Sequence, residues 1–596
     1  MDNREVAHVF SDIARLLQLK NDSIFKIRAY QRAADVIEGL STDIGKLAGD
    51  EQALREIPGI GEAISSKITE LVKTGRLEFF EKLKADFPPG LLVIMDVPGI
   101  GPKTALKAAS ELGIETLDDL QKSIESGAFA ALPRVGEKTA AKVLRHLKNR
   151  GQKGRRAPIG IALPAALDVI NQLKAACPDV RNLTYAGSLR RWRETIGDID
   201  LLCTADRPAE VTRAFATLPV VREVAGQGDT KASVVLEDGF QVDLRVVDDA
   251  DFGALLLYFT GSMQHGVLLR TRALKMGLSL NEYGFTPAGS DTVEPIATEQ
   301  AAYERLGLPF IPPELREAQG EIEAAEAGQL PDLITLADIR GDLHVHSDWS
   351  DGRATVFEMV AEARKRGLEY VAMTDHSVGR GIANGLTIER LAEHGRELAR
   401  VENEVSGVRV FAGSEIDIRA DGTLDYPDDV LAGLNVVVAS IHSAMGQTPE
   451  VMTERVIKAM RNPHVTVLGH LTTRLIPHEG REEGRDAIEA DFDAIFRAAA
   501  DTGTLMEINA SPNRLDLRDA HVRRAAELGA RFVVSTDAHA PDALDDMKYG
   551  VGTARRGWCE RRLVANTLRA KEFERFIETP KADRKNREFD GRGRGS

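Results

Sequence analysis

Six of the 13 histidines in this chain, His344, His346, His376, His442, His470 and His539, fall at or just past the ends of short apolar runs, in company with Asp351, Glu415 and Asp537. Neutral imidazole and carboxylate together suit Zn, Mn or Fe, and these nine groups exceed what one or two ions use, so the set predicts three clustered ions. In "DLHVH", His344 and His346 stand two apart on a strand end and share a face; Asp537 and His539 repeat the arrangement in "STDAH". A lone histidine at a strand end is ordinarily a satisfied polar side chain, whereas repetition over successive runs points to ligation. Clustered ions orient a phosphate and lower the pKa of bound water, so the chemistry expected of them is hydrolysis of a phosphoester.

A second, acidic constellation lies upstream in "YAGSLRRWRETIGDIDLL", residues 185–202. Asp198 and Asp200 stand at strand period and share a face, where they bracket two hard cations; Gly187 and Ser188 offer backbone amides and a hydroxyl to a phosphate. Asp243 in "FQVDLRVV" completes the acidic set from a neighbouring strand, and Arg190 and Arg191 suit the charge of a triphosphate. An isolated Asp-x-Asp says little, since "DFD" at 491–493 reads as a surface helix. The added Gly-Ser and "VDLRV" make the combination specific.

The elements that must position these groups fall into distinct stretches. From 336 to 575, "IRGDLH", "EYVAMTDH", "VRVFAGSE", "NVVVASIH", "VTVLGH", "TLMEIN" and "RFVVSTDAH" alternate with longer helical runs, which predicts a parallel βα barrel. Each run ends in a polar residue, Asn509 included, and barrel active sites form at the carboxyl ends of the strands. A mixed α/β unit occupies about 160–250, and residues 1–150 read as helices joined by Pro-Gly turns. There, "IPGIGEAISSKITELV" and "VPGIGPKTALKAASEL" share Pro-Gly-Ile-Gly before an amphipathic helix, so Gly59, Gly61, Gly99 and Gly101 let backbone amides approach a DNA phosphate without reading sequence. A third copy, "LPRVGEKTAAKVL", has Arg134 in place of the first glycine and reads as structural only. The Pro-rich, acidic 309–332 reads as an exposed connector.

At 596 residues the chain exceeds one core and predicts about three to five domains. No apolar run approaches the roughly 20 residues that span a bilayer, and the N-terminus lacks a signal peptide's pattern, so a cytoplasmic protein without membrane contact is expected. Cys177, Cys203 and Cys559 are too scattered for a disulfide framework. The net charge of -15 alone argues against nucleic acid, but 137–156 and 582–596 are basic while acids crowd 312–328, so charge is read domain by domain.

Over about 336–575 the motifs "DLHVHSDWSDG", "TDHS", "GSEIDI", "SIHSA", "GHLT" and "STDAH" resemble the PHP (polymerase and histidinol phosphatase) family, which implies a distorted seven-stranded barrel with three Mn or Zn ions. Over about 1–310, the acidic set with "YFTGS" and "RTRALKMGLSLNEYG" resembles the family X DNA polymerases. That resemblance implies that Asp198 and Asp200 hold two Mg or Mn ions and that Asp243 binds the catalytic one and activates the primer 3′-hydroxyl. It implies further that Gly187, Ser188, Arg191 and Gly197 meet the incoming triphosphate, with Tyr258, Phe259, Gly261 and Arg270 completing the nucleotide site and Tyr258 discouraging ribonucleotides. Gly266 stands where the animal repair enzyme has a base-contacting asparagine, and Met263 replaces a nearby acid. Lys67 matches the Schiff-base lysine of 5′-deoxyribose-phosphate lyase activity, and Lys26 and Tyr30 its phosphate side, although Ala63 replaces another phosphate-binding lysine.

The expected organisation is an all-α helix-hairpin-helix region (1–82 and 83–155), an α+β nucleotidyltransferase palm (156–250), a nucleotide-selection subdomain (251–311), a linker (312–335), a (β/α)7 PHP barrel (336–575) and a disordered basic tail (576–596). The expected function is gap filling with dNTPs in base-excision or end repair, coupled to a 3′–5′ exonuclease that extends to abasic-site or 3′-phosphate cleavage, by a monomer. Rival readings are a nucleotidyltransferase on RNA ends or small molecules fused to a small-molecule phosphatase, and a DNA-binding scaffold with inactive sites. The helix-hairpin-helix pair and "YFTGS" count against the first, the filled acidic and histidine positions against the second.

Overall fold

The computed structural model describes residues 3–38, 44–48, 51–57, 59–95, 97, 100–133, 135–148, 156–290, 292–477, 484–585 and 587–589, in two compact units divided at 155/156. Gly99, Arg134 and the end of the basic tail lie outside the described residues.

The first unit is helical. Val6, Phe10, Ile13, Ala14 and Leu17 recur at three and four spacing along Asn3–Leu19 and are all buried, and the same periodicity buries Ile64, Ile68 and Leu71 of Glu62–Thr74. Gly75 and Gly113 end their helices at positive φ, which a side chain would strain. The boundary expected at 82/83 does not separate two cores: Phe10 and Ile68 share one apolar cluster with Ile94, Phe129 and Val143.

The second unit begins with the palm. Its five-stranded sheet runs in the order Arg181–Tyr185, Ile199–Thr204, Gln241–Val247, Lys231–Leu236 and Val221–Gln227. Val242, Leu244 and Val246 point into the core, so strand alternation puts Asp243 on the opposite face. The helix Ile159–Ala176 packs beneath, burying Ala162, Ala166, Val169 and Leu173. Contrary to the expectation of no such run, this helix is long and apolar enough by composition to cross a membrane, but those residues belong to the palm core. Beyond it, helices Phe252–Thr260, Met263–Lys275 and Glu299–Arg305 and a hairpin, Leu278–Asn281 with Gly284–Pro287, make the next subdomain.

The expected linker, 312–335, is a packed strap. It forms a short helix Glu321–Glu326 after a 3-10 turn, and Leu315, Arg316, Glu321 and Ile322 are buried. Its charges are paired: Arg316 bonds Glu299, Glu321 accepts from His265 at 2.7 Å, and Arg555 of a barrel helix donates to Glu314 at 2.7 Å. Composition alone could not reveal partners so distant in sequence.

Seven parallel strands follow in sequential order: Gly341–Val345, Tyr370–Met373, Arg409–Asp417, Val436–Ser440, Val467–Leu468, Leu505–Asn509 and Arg531–Ser535. A bridge between Val345 and Ala538 joins the last to the first. The barrel does not end at 575, which lies inside helix Ala570–Glu578, and the described tail residues pack: Phe589 lies edge-on against Phe576, and Lys581 Nζ donates to the Met460 and Asn462 carbonyls.

Candidate active sites

The palm carboxylates meet through sheet register. Asp200 lies directly beside Asp243 on the parallel neighbouring strand, and Asp198 immediately precedes Asp200's strand. Burial, then the charges of Asp198 and Asp243, push the Asp200 carboxyl up to about 7, and burial with Asp243 raises Asp198. Gln241 Nε2 donates to Asp243 at 3.3 and 3.4 Å. Three carboxylates gathered this closely are a donor set suited to hard divalent cations. Gly187 sits at φ +62, and a Cβ there would lie 2.6 Å from Asp200 Oδ2, so this turn needs glycine for conformation and for closeness. Ser188 follows on the short helix Gly187–Arg190, while Gly197 lies in an exposed turn beside Arg156.

Tyr258 and Phe259 close the helix Phe252–Thr260, with Arg245 4.5 Å above the Phe259 ring and Gly261 at positive φ. Arg270 folds back along its own helix: a Cβ on Gly266 would lie 3.3 Å from its Nη1. Arg191 is placed differently from expectation. Its Nε donates to Glu317 at 3.0 Å and its Nη1 to the Thr260 carbonyl, and Glu317 also accepts from Arg556 of the barrel at 2.9 Å. Arg190 is likewise engaged, with Thr260 and Glu299.

In the first unit, the lyase-like residues gather on one ring. The ammonium groups of Lys26 and Lys67 lie 5.3 and 5.4 Å from the centre of Phe79, which stacks on Tyr30. The Tyr30 ring is buried rather than presented to a phosphate, because it fills the space between Phe10 and Phe79. Gly61 and Gly101 cap the helices Glu62–Thr74 and Pro102–Leu112, and a Cβ at either would meet nothing within 4 Å; Gly59 sits at φ +106 against Arg32.

The barrel brings the histidine set together. Three groups have ligand atoms within 4.8 Å of one another: His346, Asp351, His376 and His539; His344, His346 and Asp537; His376, Glu415 and His442. His470 joins through Nε2, 2.8 Å from Glu415. Buried imidazole nitrogens normally find partners, yet His344 Nε2, both nitrogens of His346, His376 Nδ1 and His470 Nδ1 form no well-aligned hydrogen bond among the described residues, although His376 Nδ1 lies 2.9 Å from Glu415 and His346 Nε2 3.3 Å from Asp537. Such orphaned nitrogens beside carboxylates fit metal ions. Burial, then the cationic neighbour His539, lowers His346 to about 4; burial opposes the His376 cation, but Glu415 and Asp351 outweigh it and raise it to about 10.

Several positioning residues escaped the sequence reading. His344 Nδ1 lies 2.7 Å from Glu507, which also accepts from the His470 backbone amide, and His442 Nδ1 lies 2.5 Å from Asp417. Carboxylates behind ligating imidazoles fix ring orientation. The signal was present, since Asp417 stands two residues beyond Glu415 and Glu507 two before Asn509. Asn509 itself donates to Glu507 and Asp537 at 3.2 Å, orienting them. Asp375 accepts from Ser347 and Ser350 and pairs with His394, holding the turn that presents Asp351. Arg514 stands at the rim with Nε 3.7 Å from Asp537.

Family models match in four places: a helix-hairpin-helix domain over 1–77, a SAM-like helix-hairpin-helix tandem over 91–149, a DNA polymerase beta thumb over 255–317 and a PHP domain over 342–511. The thumb match reaches into the strap. Among curated proteins, the chain is 38% identical to the "DNA polymerase/3'-5' exonuclease PolX" of Bacillus subtilis (strain 168) over 97% of this chain and 99% of that one. It is 33% identical to a probable phosphatase of Syntrophotalea carbinolica over 34% of this chain and 81% of the relative, and 26% identical to a probable phosphatase of Thermoanaerobacter sp. (strain X514) over 38% and 89%.

Proposed function

We propose, for a chain that belongs to the family X DNA polymerases with a C-terminal PHP domain, that one polypeptide extends primers in gapped DNA at the palm carboxylates and removes 3′ nucleotides at the histidine cluster. The observation that carries the second half is the set of buried imidazole nitrogens that form no well-aligned hydrogen bond among the described residues and crowd against Glu415 and Asp537 at the carboxyl ends of the barrel strands.

At the palm, Asp198 and Asp200 hold two Mg or Mn ions with Asp243. When bound, such ions neutralise the triphosphate and stabilise the attacking and leaving oxygens of an in-line displacement. Asp243 faces the primer 3′-hydroxyl and takes its proton, and the Gly187-Ser188 turn offers its amides and hydroxyl to the triphosphate. Tyr258, Phe259 and Gly261 pack beside the sugar; Arg270 reaches the nucleotide across Gly266. In the barrel the nine histidine-site residues hold three Mn or Zn ions, Glu507 and Asp417 orient His344 and His442, and Arg514 meets the scissile phosphate. Resemblance of the barrel to probable phosphatases supports removal of 3′-phosphates as well. Helix N-termini at Gly61 and Gly101 grip the DNA backbone. A lyase activity of Lys67 is a second reading, supported by the shared placement of Lys26 and Lys67 over Phe79. We also infer a monomeric, cytoplasmic enzyme.

The test uses purified protein with gapped DNA carrying a 5′-phosphate, a labelled primer, dNTPs and Mg or Mn. Asp198→Ala with Asp200→Ala should abolish extension and spare 3′ degradation, and His344→Ala with His346→Ala should do the reverse. Unchanged degradation in the histidine pair would sink the nuclease assignment, and equal use of an RNA primer with rNTPs would sink the DNA specificity.

A further inference from the structure

Two loops on the rim of the histidine site are held by the palm rather than by the barrel alone. One follows the fifth strand and carries His470; the other follows Asn509 of the sixth. From them Ile476 and Leu515 bury their side chains in the palm's own apolar cluster, beside Ile159 and Ile196. Pro512 lies so close to Gly160 that a Cβ there would come within 2.4 Å of the proline ring. The loops are also tied to each other, since the Ile476 amide donates to the Asn513 carbonyl at 2.8 Å.

At the centre of this junction, Arg474 donates through Nη2 to Glu194 of the palm at 2.8 Å and to the Leu515 carbonyl at 2.5 Å. Arg474 is 12% exposed and stands four residues after His470. Close by is Asp516, fully buried among Arg474, His470, Thr472 and Arg514, whose carboxylate oxygens form no well-aligned hydrogen bond among the described residues. A buried cation beside a centre that must accept several more cations opposes their binding, and its field is poorly screened in a low-dielectric interior. Glu194 cancels that charge. Burial works to raise its carboxyl, yet Arg474 and Arg518 hold it at about 2, so it remains an anion.

We propose that the palm completes the barrel's metal centre: Glu194 is a positioning residue for the histidine site, neutralising Arg474 and thereby fixing the loop that presents His470. Without the Glu194 charge, Arg474 loses its anchor in the palm, the His470 loop is no longer fixed, and an uncompensated cation remains four residues from His470. The proposal rests on the histidine cluster being a metal site.

The experiment measures Mn2+ binding to full-length wild type, Glu194→Gln and the double variant Glu194→Gln with Arg474→Gln, by the electron-paramagnetic signal of free Mn2+, alongside primer extension and thermal unfolding. Glu194→Gln should weaken at least one ion by about tenfold, as expected for loss of a group behind a ligand. Its exonuclease should recover at high Mn2+, and its extension should stay near wild type. The double variant, having lost both charges, should regain the affinity. A role confined to fold stability predicts the opposite, a double variant weaker than the single one, and that result overturns the proposal, as does an unchanged Mn2+ isotherm in Glu194→Gln. A wild-type protein that binds neither Mn2+ nor Zn2+ would instead remove the metal reading beneath it.

Discussion

Histidine serves opposite ends in this chain, and its surroundings decide which. His376 is buried among carboxylates that favour its cation, while His521 is buried between Phe492 and Phe496, where burial first, then Arg518 and Arg474, push it down to about 3. Between about pH 6.5 and 3 the unfolded chain binds a proton that folded His521 refuses. Its contribution to stability is therefore present above that window and is lost as pH falls through it. His521→Phe should lose about 2 kcal/mol less than wild type between pH 7 and pH 5 in urea unfolding. An equal loss in the two proteins would contradict burial of the neutral ring. The carboxylates show what residue type alone reveals: Asp198, Asp200 and Asp243 were legible from strand period and neighbouring motifs. Glu507 and Asp417 were not singled out, because their role depends on a ring nitrogen reached only across the barrel.

At the scale of elements, the turn at Gly187 and the strap at 313–321 carry the sharpest expectations. Gly187→Ala combines a strained positive φ with a Cβ 2.6 Å from Asp200, so Asp200 must shift. Misplacing a catalytic group by about 1 Å costs roughly 100-fold in rate, so if Asp200 has the role proposed for it, extension of a gapped primer should fall by that order while 3′ degradation is retained. Glu317 binds Arg191 and Arg556 together, with all three side chains at most 14% exposed. Glu317→Ala leaves Arg191 buried without its carboxylate, while Arg556 keeps Asp519, and should cost about 3 kcal/mol in denaturant unfolding. A variant as stable as wild type would mean that the strap's charges are solvated. The strap was misread as linker because its proline and acid content are those of an exposed segment. Its acids are instead matched by arginines and a histidine from the thumb, palm and barrel, and no local pattern records such partners. The barrel strands, by contrast, were legible individually, since each is a short apolar run closed by a polar residue.

At the scale of the whole molecule, the second unit behaves as one body in which palm, thumb and barrel share side chains: Leu515 and Tyr549 of the barrel lie in the palm core, and the Trp192 ring covers Gly552. The tail belongs to it too. Truncation after Glu578 removes Phe589 from its edge-on contact with Phe576 and Lys581 from two helix-end carbonyls, and should lower the melting temperature of the full chain by a few degrees at least. An unchanged melting curve would return the tail to the status of an appendage. By itself the sequence determined the family and the fold class, and singled out the acidic triad and the histidine set that the proposed function uses, because strand period, Pro-Gly turns and ligand chemistry are local and repeat in recognisable spacing. Only the tertiary structure decided that Arg191 is tied to the barrel through Glu317, that the connector is a buried strap, and that the palm grips the loop bearing His470. Those outcomes depend on which distant charges share a low-dielectric interior, and that is fixed by packing rather than by spacing along the chain.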